Sequence, residues 1–401
     1  MHTSFAHDFL PENSLPFFVK PGPVAQHRIK CIPLITLLCF AAALTGYGQS
    51  NFYHLLIGTY TNKKSEGIYI YSFNKQTGEV KYESTIKNIS NPSYLAVSPN
   101  NRFIYSVEEN SGQPGKVSAF LFNKATGTAT FLNSRSSGSE GPCYVSVSET
   151  GSDVFVGNYT GGSLAVMHVR SDGTLDSATQ NIMHQGSSIN KERQERPHVH
   201  SVVLSPNNHF LMVPDLGLDK VMVYRYDPSN NTPLSPAKPA FVAVKPGSGP
   251  RHIVFHPNGK FAYLTDEMSG EVEVFSYAEG KLQPVQSITM LSVGFKGKVG
   301  AADIHVSPDG KFLYASNRGD ANEIVIYTIK PTGMLAYTGR QSTFGKTPRN
   351  FMIDPSGKFL LVANQNSDDI YIFQRNPNTG LLSLTKNKIE IDSPVCLKMV
   401  E

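Results

Sequence analysis

The chain has 401 residues, no tryptophan, only four cysteines and just 17% charged residues. Each shortage removes a class of protein. Without tryptophan there is no Trp-Asp repeat signature. Two of the cysteines, Cys31 and Cys39, lie in an N-terminal apolar stretch, which leaves Cys143 and Cys396 for the remainder. Two cysteines in so long a chain make no disulfide framework, and both read as small buried apolar residues. There is no Cys-x-x-Cys-His for haem attachment and no Gly-x-Ser-x-Gly elbow leading into a helix, which argues against an acyl-enzyme. The net charge of +4 is small and scattered, so no nucleic-acid partner is expected.

Long hydrophobic runs are also scarce. The longest candidate, Cys31 to Leu44, spans 14 residues, short for a bilayer crossing. Arg28 and Lys30 precede it, and small residues around Gly46 and Gly48 follow. This is the tripartite plan of a secretory signal peptide, although the 27 residues ahead of the basic flank make an unusually long leader. A buried or anchoring helix is the alternative. The expectation is an N-terminal extension and signal peptide over residues 1–49, cleaved near Gly48. A single domain over residues 50–401 would then be exported to the periplasm or beyond, with no stable membrane insertion after cleavage.

What the chain has in plenty is glycine (33), proline (26), phenylalanine (23) and tyrosine (18), a composition that favours short strands joined by turns. The strands repeat. "NPSYLAVSPNNRFIYSVEEN", "VHSVVLSPNNHFLMVPDLG", "GPRHIVFHPNGKFAYLTDEM" and "GAADIHVSPDGKFLYASNRG" each read apolar strand, polar turn, apolar strand. The turn falls at Pro99, Glu149, Pro206, Pro257, Pro308 and Pro355, at spacings of 50, 57, 51, 51 and 47. A third strand such as "EVEVFSY" follows each time, then a more polar fourth. A period near fifty built this way predicts an all-β, seven-bladed β-propeller. The seventh blade combines the N-terminal "NFYHLLIGTYT" segment with the C-terminal "SPVCLKMV", which closes the ring. The spacing of 57 marks a long loop, "MHQGSSINKERQERPH", in front of one repeat.

The register predicts which residues meet at the central channel. Six residues before each turn stand Ser93, Cys143, His200, Arg251, Ala302 and Arg349, with Val395 in the closing strand. Ten residues after it stand Glu109, Tyr159, Leu216, Glu267, Arg318 and Gln365, with Tyr60 from the first blade. A wet channel explains Glu109 or Gln365 taken singly. It does not explain His200, Arg251, Glu267 and Arg318 together, which combine a base, an acid and two fixed cations from adjacent blades. These four are the candidate catalytic residues, with His198, Arg193, Arg349, Asn317 and Glu109 as substrate-binding candidates. One residue earlier lies a ring of oxygen donors: Glu108, Asn158, Asp215, Asp266, Asn317 and Asn364. It keeps a calcium-dependent site open as an alternative to a site with no cofactor. A non-catalytic binding propeller is the third reading.

The strings "RQERPHVHSVVLSP", "GPRHIVFHPNGKFAYLTDE" and "SPDGKFLYASNRG", with "LLIGTYT" near the start, resemble the seven-bladed lactonase family. That family includes propeller-type 6-phosphogluconolactonases and carboxymuconate-lactonizing enzymes. The resemblance implies a small-molecule lactone substrate and a functional His, Glu and two Arg, which fall by motif on His200, Glu267, Arg251 and Arg318. Glu267 or His200 would take the proton of an attacking water, and the arginines would hold the oxyanion or a substrate anion. Export fits a sugar-acid lactone of the gluconolactone type at least as well as a phosphorylated one. Oligomeric state is not legible.

Overall fold

A computed structural model describes residues 17–23 and 51–401. The signal-peptide reading falls on residues outside these. Residues 17–23 carry no regular structure, and the propeller occupies the compact unit Gln49–Glu401. No helix among the described residues is long and apolar enough to cross a membrane.

Seven four-stranded antiparallel sheets make up the ring. Blade 1 takes Phe52–Thr59, Gly67–Asn74 and Val80–Lys87 from the start of the chain, and its innermost strand, Pro394–Val400, from the end. His54 pairs with Val400 and Leu56 with Lys398, so the circle closes between opposite ends of the sequence, as the repeat pattern predicted. Blades 2 to 7 follow in chain order, with innermost strands Leu95–Val97, Pro142–Val147, Val203–Leu204, Pro250–Phe255, Ala301–Val306 and Pro348–Ile353.

The strands form because apolar, β-branched and aromatic residues alternate or run unbroken between turn residues. The second strand of each blade is buried on both faces, as in Phe312–Asn317. The apolar cores lie between neighbouring blades, where one sheet's face meets the next. One cluster joins Tyr263, Val272 and Val274 of blade 5 to Leu313, Ala315 and Val325 of blade 6. Full burial of each such side chain contributes about 1.5–3 kcal/mol.

A second repeated contact fixes the angle between blades. The phenylalanine that opens a second strand lies over a glycine in the outer hairpin of the next blade. Phe103 covers Gly173, Phe261 covers Gly333 and Phe312 covers Gly380, and Phe359 of blade 7 covers Gly78 of blade 1. These glycines have φ between 69° and 87°, which a side chain rarely adopts, and an added Cβ would meet the ring at 2.2–2.9 Å. Tyrosines lock the same seam: Tyr263 Oη donates to Gly333 O at 3.1 Å and Tyr314 Oη to Gly380 O at 2.7 Å.

Each innermost strand starts at the channel mouth and ends at its hairpin turn. Pairing with the second strand shifts register at the mouth end in five blades: between Pro142 and Tyr144, Pro250 and Ile253, Ala301 and Ile304, Pro348 and Asn350, and opposite Gly58 and Thr59 in blade 1. A bulge frees a residue from the ladder and re-aims its side chain. The freed residues include Cys143, Arg251, Ala302 and Arg349, four of the ring positions read from the sequence. Blade 4 departs furthest. Its inner strand shrinks to Val203–Leu204, because Asp215 Oδ1 takes the His198 N–H at 2.7 Å and draws the chain off the ladder, leaving a bridge at Val199–Asp215.

Candidate active site

The mouth cluster is built around one carboxylate. Glu267 directly follows the second strand of blade 5, and its backbone N–H is held by Gly249 O at 2.7 Å. Its Oε2 accepts from Arg251 Nε at 3.0 Å and lies 2.8 Å from Arg318 Nη2. Its Oε1 accepts from Arg193 Nη2 at 2.7 Å. His200 Nε2 stands 3.8 Å from Oε2. Blades 4, 5 and 6 and the long loop before blade 4 thus each contribute one or two groups.

The arginines are fixed from behind. Arg251, only 2% exposed, donates from Nη1 to Ala302 O at 2.6 Å. Arg318 donates to Gly300 O at 3.1 Å and Ala301 O at 3.2 Å. Arg193 is the exposed member, and the loop presents it rigidly: buried Gln194 donates from Nε2 to Leu216 O at 2.9 Å. Arg193 Nη2 also reaches Tyr159 Oη at 3.2 Å.

Charge and burial set the protonation states. Burial alone would raise the Glu267 pKa, but the guanidinium charges of Arg318, Arg251 and Arg193 outweigh it and hold the carboxyl well below its ordinary value. His200 is driven the other way from a protonated state: burial first, and the Arg251 charge second, hold it well below 6.5. It is neutral at pH 7, with Nε2 directed at the cluster. Burial and the neighbouring Arg318 and Arg349 bring Arg251 down to about 10, still cationic at neutral pH.

The remaining candidates fall into three places. His198 stacks on Tyr159 with ring centroids 4.6 Å apart, and its Nδ1 lies 3.0 Å from Tyr159 O, so it shapes the wall beside Arg193. Arg349 and Glu109 form a second group across the channel. The Arg349 guanidinium lies over the Tyr60 ring at 5.5 Å, and Tyr60 Oη donates to Glu109 at 2.9 Å. Asn317 does not join either group: it is wholly buried and its Oδ1 accepts the Gly300 N–H at 3.3 Å.

The oxygen ring to which Asn317 belongs does not converge on one point. Four of its members turn back into the blades and take separate partners: Glu108 accepts from Ser118, Asn158 donates to Ser137 O, Asp215 pairs with His184 and Asn364 donates to Thr343 O. At the mouth itself, Glu267 has its oxygens occupied by three guanidinium groups, a poor setting for a cation.

Tyr159, Tyr60 and Cys143 received no role from the sequence, although the register placed all three at the mouth. Cys143 Sγ lies 3.8 Å from His200 Nδ1. Burial pushes its thiol up, so it is no thiolate nucleophile. Deeper in the channel, His252 Nδ1 pairs with Asp303 at 2.8 Å beneath His200, whose ring centroid is 5.4 Å away. Burial and Arg251 depress His252 to about 3, so a neutral imidazole hydrogen-bonded to the Asp303 carboxylate forms the floor here. Beyond it a cavity of about 340 Å³, bounded by Tyr94, Tyr144 and His305 among others, opens towards the hairpin-turn end.

The family model described as lactonase, 7-bladed β-propeller matches residues 54–399. The 6-phosphogluconolactonase of Formosa agariphila is 38% identical over 349 residues, covering 86% of this chain and 99% of the relative. That of Bacillus subtilis is 34% identical over 346 residues, covering 86% and 97%. Among solved structures, the periplasmic gluconolactonase of Pseudomonas aeruginosa superposes with a TM-score of 0.84 at 42% identity, covering 87% of this chain and 99% of that one. With the seven-bladed ring and its closing strand, these matches establish that the chain belongs to the seven-bladed β-propeller lactonase family.

Proposed function

We propose that this protein hydrolyses a sugar-acid lactone at the channel mouth, with His200 as general base. The observation that carries this reading is the Glu267 carboxylate gripped by Arg193, Arg251 and Arg318 with neutral His200 at 3.8 Å. Glu267 is a poor base because its oxygens are already engaged and its proton affinity is suppressed. His200 has a ring nitrogen for water and a counter-charge close enough to stabilise the imidazolium as it forms.

In the reaction, water attacks the lactone carbonyl carbon while its proton passes to His200 Nε2. The carbonyl π electrons move onto oxygen, and guanidinium N–H groups of the cluster stabilise that oxyanion. Collapse re-forms the carbonyl and breaks the ring C–O bond. His200 returns the proton to the departing alkoxide, and the open-chain hydroxy acid leaves as a carboxylate. Arg193, at the exposed rim, is placed to receive the far end of the substrate.

The relatives named for 6-phosphogluconolactone and for periplasmic gluconolactone leave two substrate forms. The signal-peptide pattern read from the sequence between Arg28 and Gly48 supports export, and with it the unphosphorylated sugar lactone. The test is proton release in weak buffer with gluconolactone and its 6-phospho form side by side, corrected for spontaneous opening. Saturable turnover faster on gluconolactone, and surviving EDTA, is the expected result. Saturable binding without turnover on either lactone would replace this reading with a binding propeller.

A further inference from the structure

Blade 5 carries three carboxylates that the mouth chemistry does not use. Asp266 ends the second strand of the blade, Phe261–Asp266. Its cross-strand partner is Glu271, first residue of the third strand, and Glu273 follows two residues later on the same face. One oxygen from each of the three lies within 4.8 Å of the others.

Asp266 is wholly buried, and neither of its carboxylate oxygens has a hydrogen-bond partner among the described residues. An ionised carboxylate in that condition costs several kcal/mol, so something must neutralise it. No side chain among the described residues does so. Burial and the neighbouring Glu273, Glu271 and Asp219 all act against its charge. Asp219 has its own oxygens filled by Ser188, Gly247 and Gly249 and offers Asp266 nothing.

The other blades show how unusual this is. At the same register, Glu108 has Ser118 as donor and Lys116 across the ladder, and Asp215 has His184 as partner and Lys220 across the ladder. In blade 5 the cross-strand position is Glu271, and Glu273 stands where blade 2 has Ser118. The sequence has put acids at both positions that elsewhere neutralise the acid or donate to it.

We infer that Asp266, Glu271 and Glu273 bind one hard divalent cation, Ca²⁺ foremost. Two oxygens on a Ca²⁺ ion at about 2.4 Å can stand at most about 4.8 Å apart, which matches the cluster. Three carboxylates with no nitrogen or sulfur among them select hard cations over zinc or copper. Glu271 and Glu273 are half-buried, which leaves the ion a path from solvent and room for water ligands. Bound there, the ion ties the second strand to the third one residue before Glu267.

The purified protein, stripped with EDTA and dialysed, is tested by equilibrium dialysis with Ca²⁺ and by thermal melting with and without 1 mM Ca²⁺, Mg²⁺ or Mn²⁺. The expected result is one Ca²⁺ per chain and a melting temperature raised by about 3 °C at saturating ion. Asp266→Asn should lose both the uptake and the increment while still melting cooperatively. Glu273→Gln, at the half-buried side, is the second variant, should Asp266→Asn fail to fold, and should weaken uptake at least tenfold. Identical melting of wild type with and without each ion, together with no calcium uptake, overturns the site and leaves Asp266 a protonated acid. Uptake undiminished in both variants overturns it equally. Neither readout depends on lactone turnover, so the outcome stands apart from the proposed reaction.

Discussion

Glu267 and His200 are close enough to act together yet are tuned to opposite ends. Three guanidinium groups around one carboxylate leave a surplus of positive charge, which is what an oxyanion needs and which keeps His200 neutral at rest. Glu267→Gln keeps the side chain's shape and removes the charge that holds the arginines in place. It should lower kcat by about 10²–10³-fold, the range for losing preorganised electrostatic stabilisation, with circular dichroism unchanged. His200 gives a pH signature. A base acts only when deprotonated, so activity falls as pH drops through its pKa, and burial and Arg251 have pushed that pKa well below 6.5. kcat/KM should therefore stay level down through pH 6.5 and decline only in more acid solution. His200→Asn should cut the rate by about 10²–10⁴-fold and abolish that acid limb. A limb centred at or above 6.5, or one that persists in His200→Asn, would exclude His200 as the base.

At the scale of the strand, the repeat was legible because its signals are local: β-branched runs, a Pro/Asn/Gly turn and a constant spacing. The register even brought His200, Arg251, Glu267 and Arg318 to one mouth, because side-chain direction follows from position along a strand. It did not reveal the bulges that aim Cys143, Arg251 and Arg349 inward, since a bulge depends on how two strands pair. It also could not show where the next ring points: alternation turns Asn317 and its counterparts into the blades, so these oxygen donors are divided among separate blades. Nor did it show that Tyr159 would carry both His198 and Arg193, a contact between segments about 35 residues apart. The blade seams are equally a matter of pairing. Gly380 has φ of 74°, and a Cβ added there would stand 2.4 Å from the Phe312 ring. Gly380→Ala should cost more than about 1 kcal/mol, combining backbone strain with the clash, and denaturant melts should show it. An alanine as stable as wild type would mean the seam is looser than its geometry implies.

Closure belongs to the whole molecule, because no single blade can achieve it. The ring is held by one strand, Pro394–Val400, whose Val395, Cys396, Leu397 and Val400 are at most 2% exposed. That strand pairs with Phe52–Thr59 and packs on its neighbours on both sides: Cys396 and Val400 lie in the core shared with blade 2, and Leu397 lies in the core shared with blade 7. Asn350 Oδ1 of blade 7 accepts the Leu397 N–H at 2.8 Å. Four buried side chains at about 1.5–3 kcal/mol each amount to roughly 6–12 kcal/mol, as large as the net stability of an ordinary domain. Removing them also leaves the edge of Phe52–Thr59 unpaired and open to other chains. A chain ending at Ser393 is therefore expected to lose the native ring altogether rather than to melt a few degrees lower. Size-exclusion chromatography should show it aggregated, with no lactone turnover. Adding the peptide Pro394–Glu401 in excess during refolding should restore some monomer, because the site for the strand is otherwise complete in the remaining blades. A truncated chain that stays monomeric and active would mean that the six complete blades and the three-stranded first one hold the mouth without the closing strand.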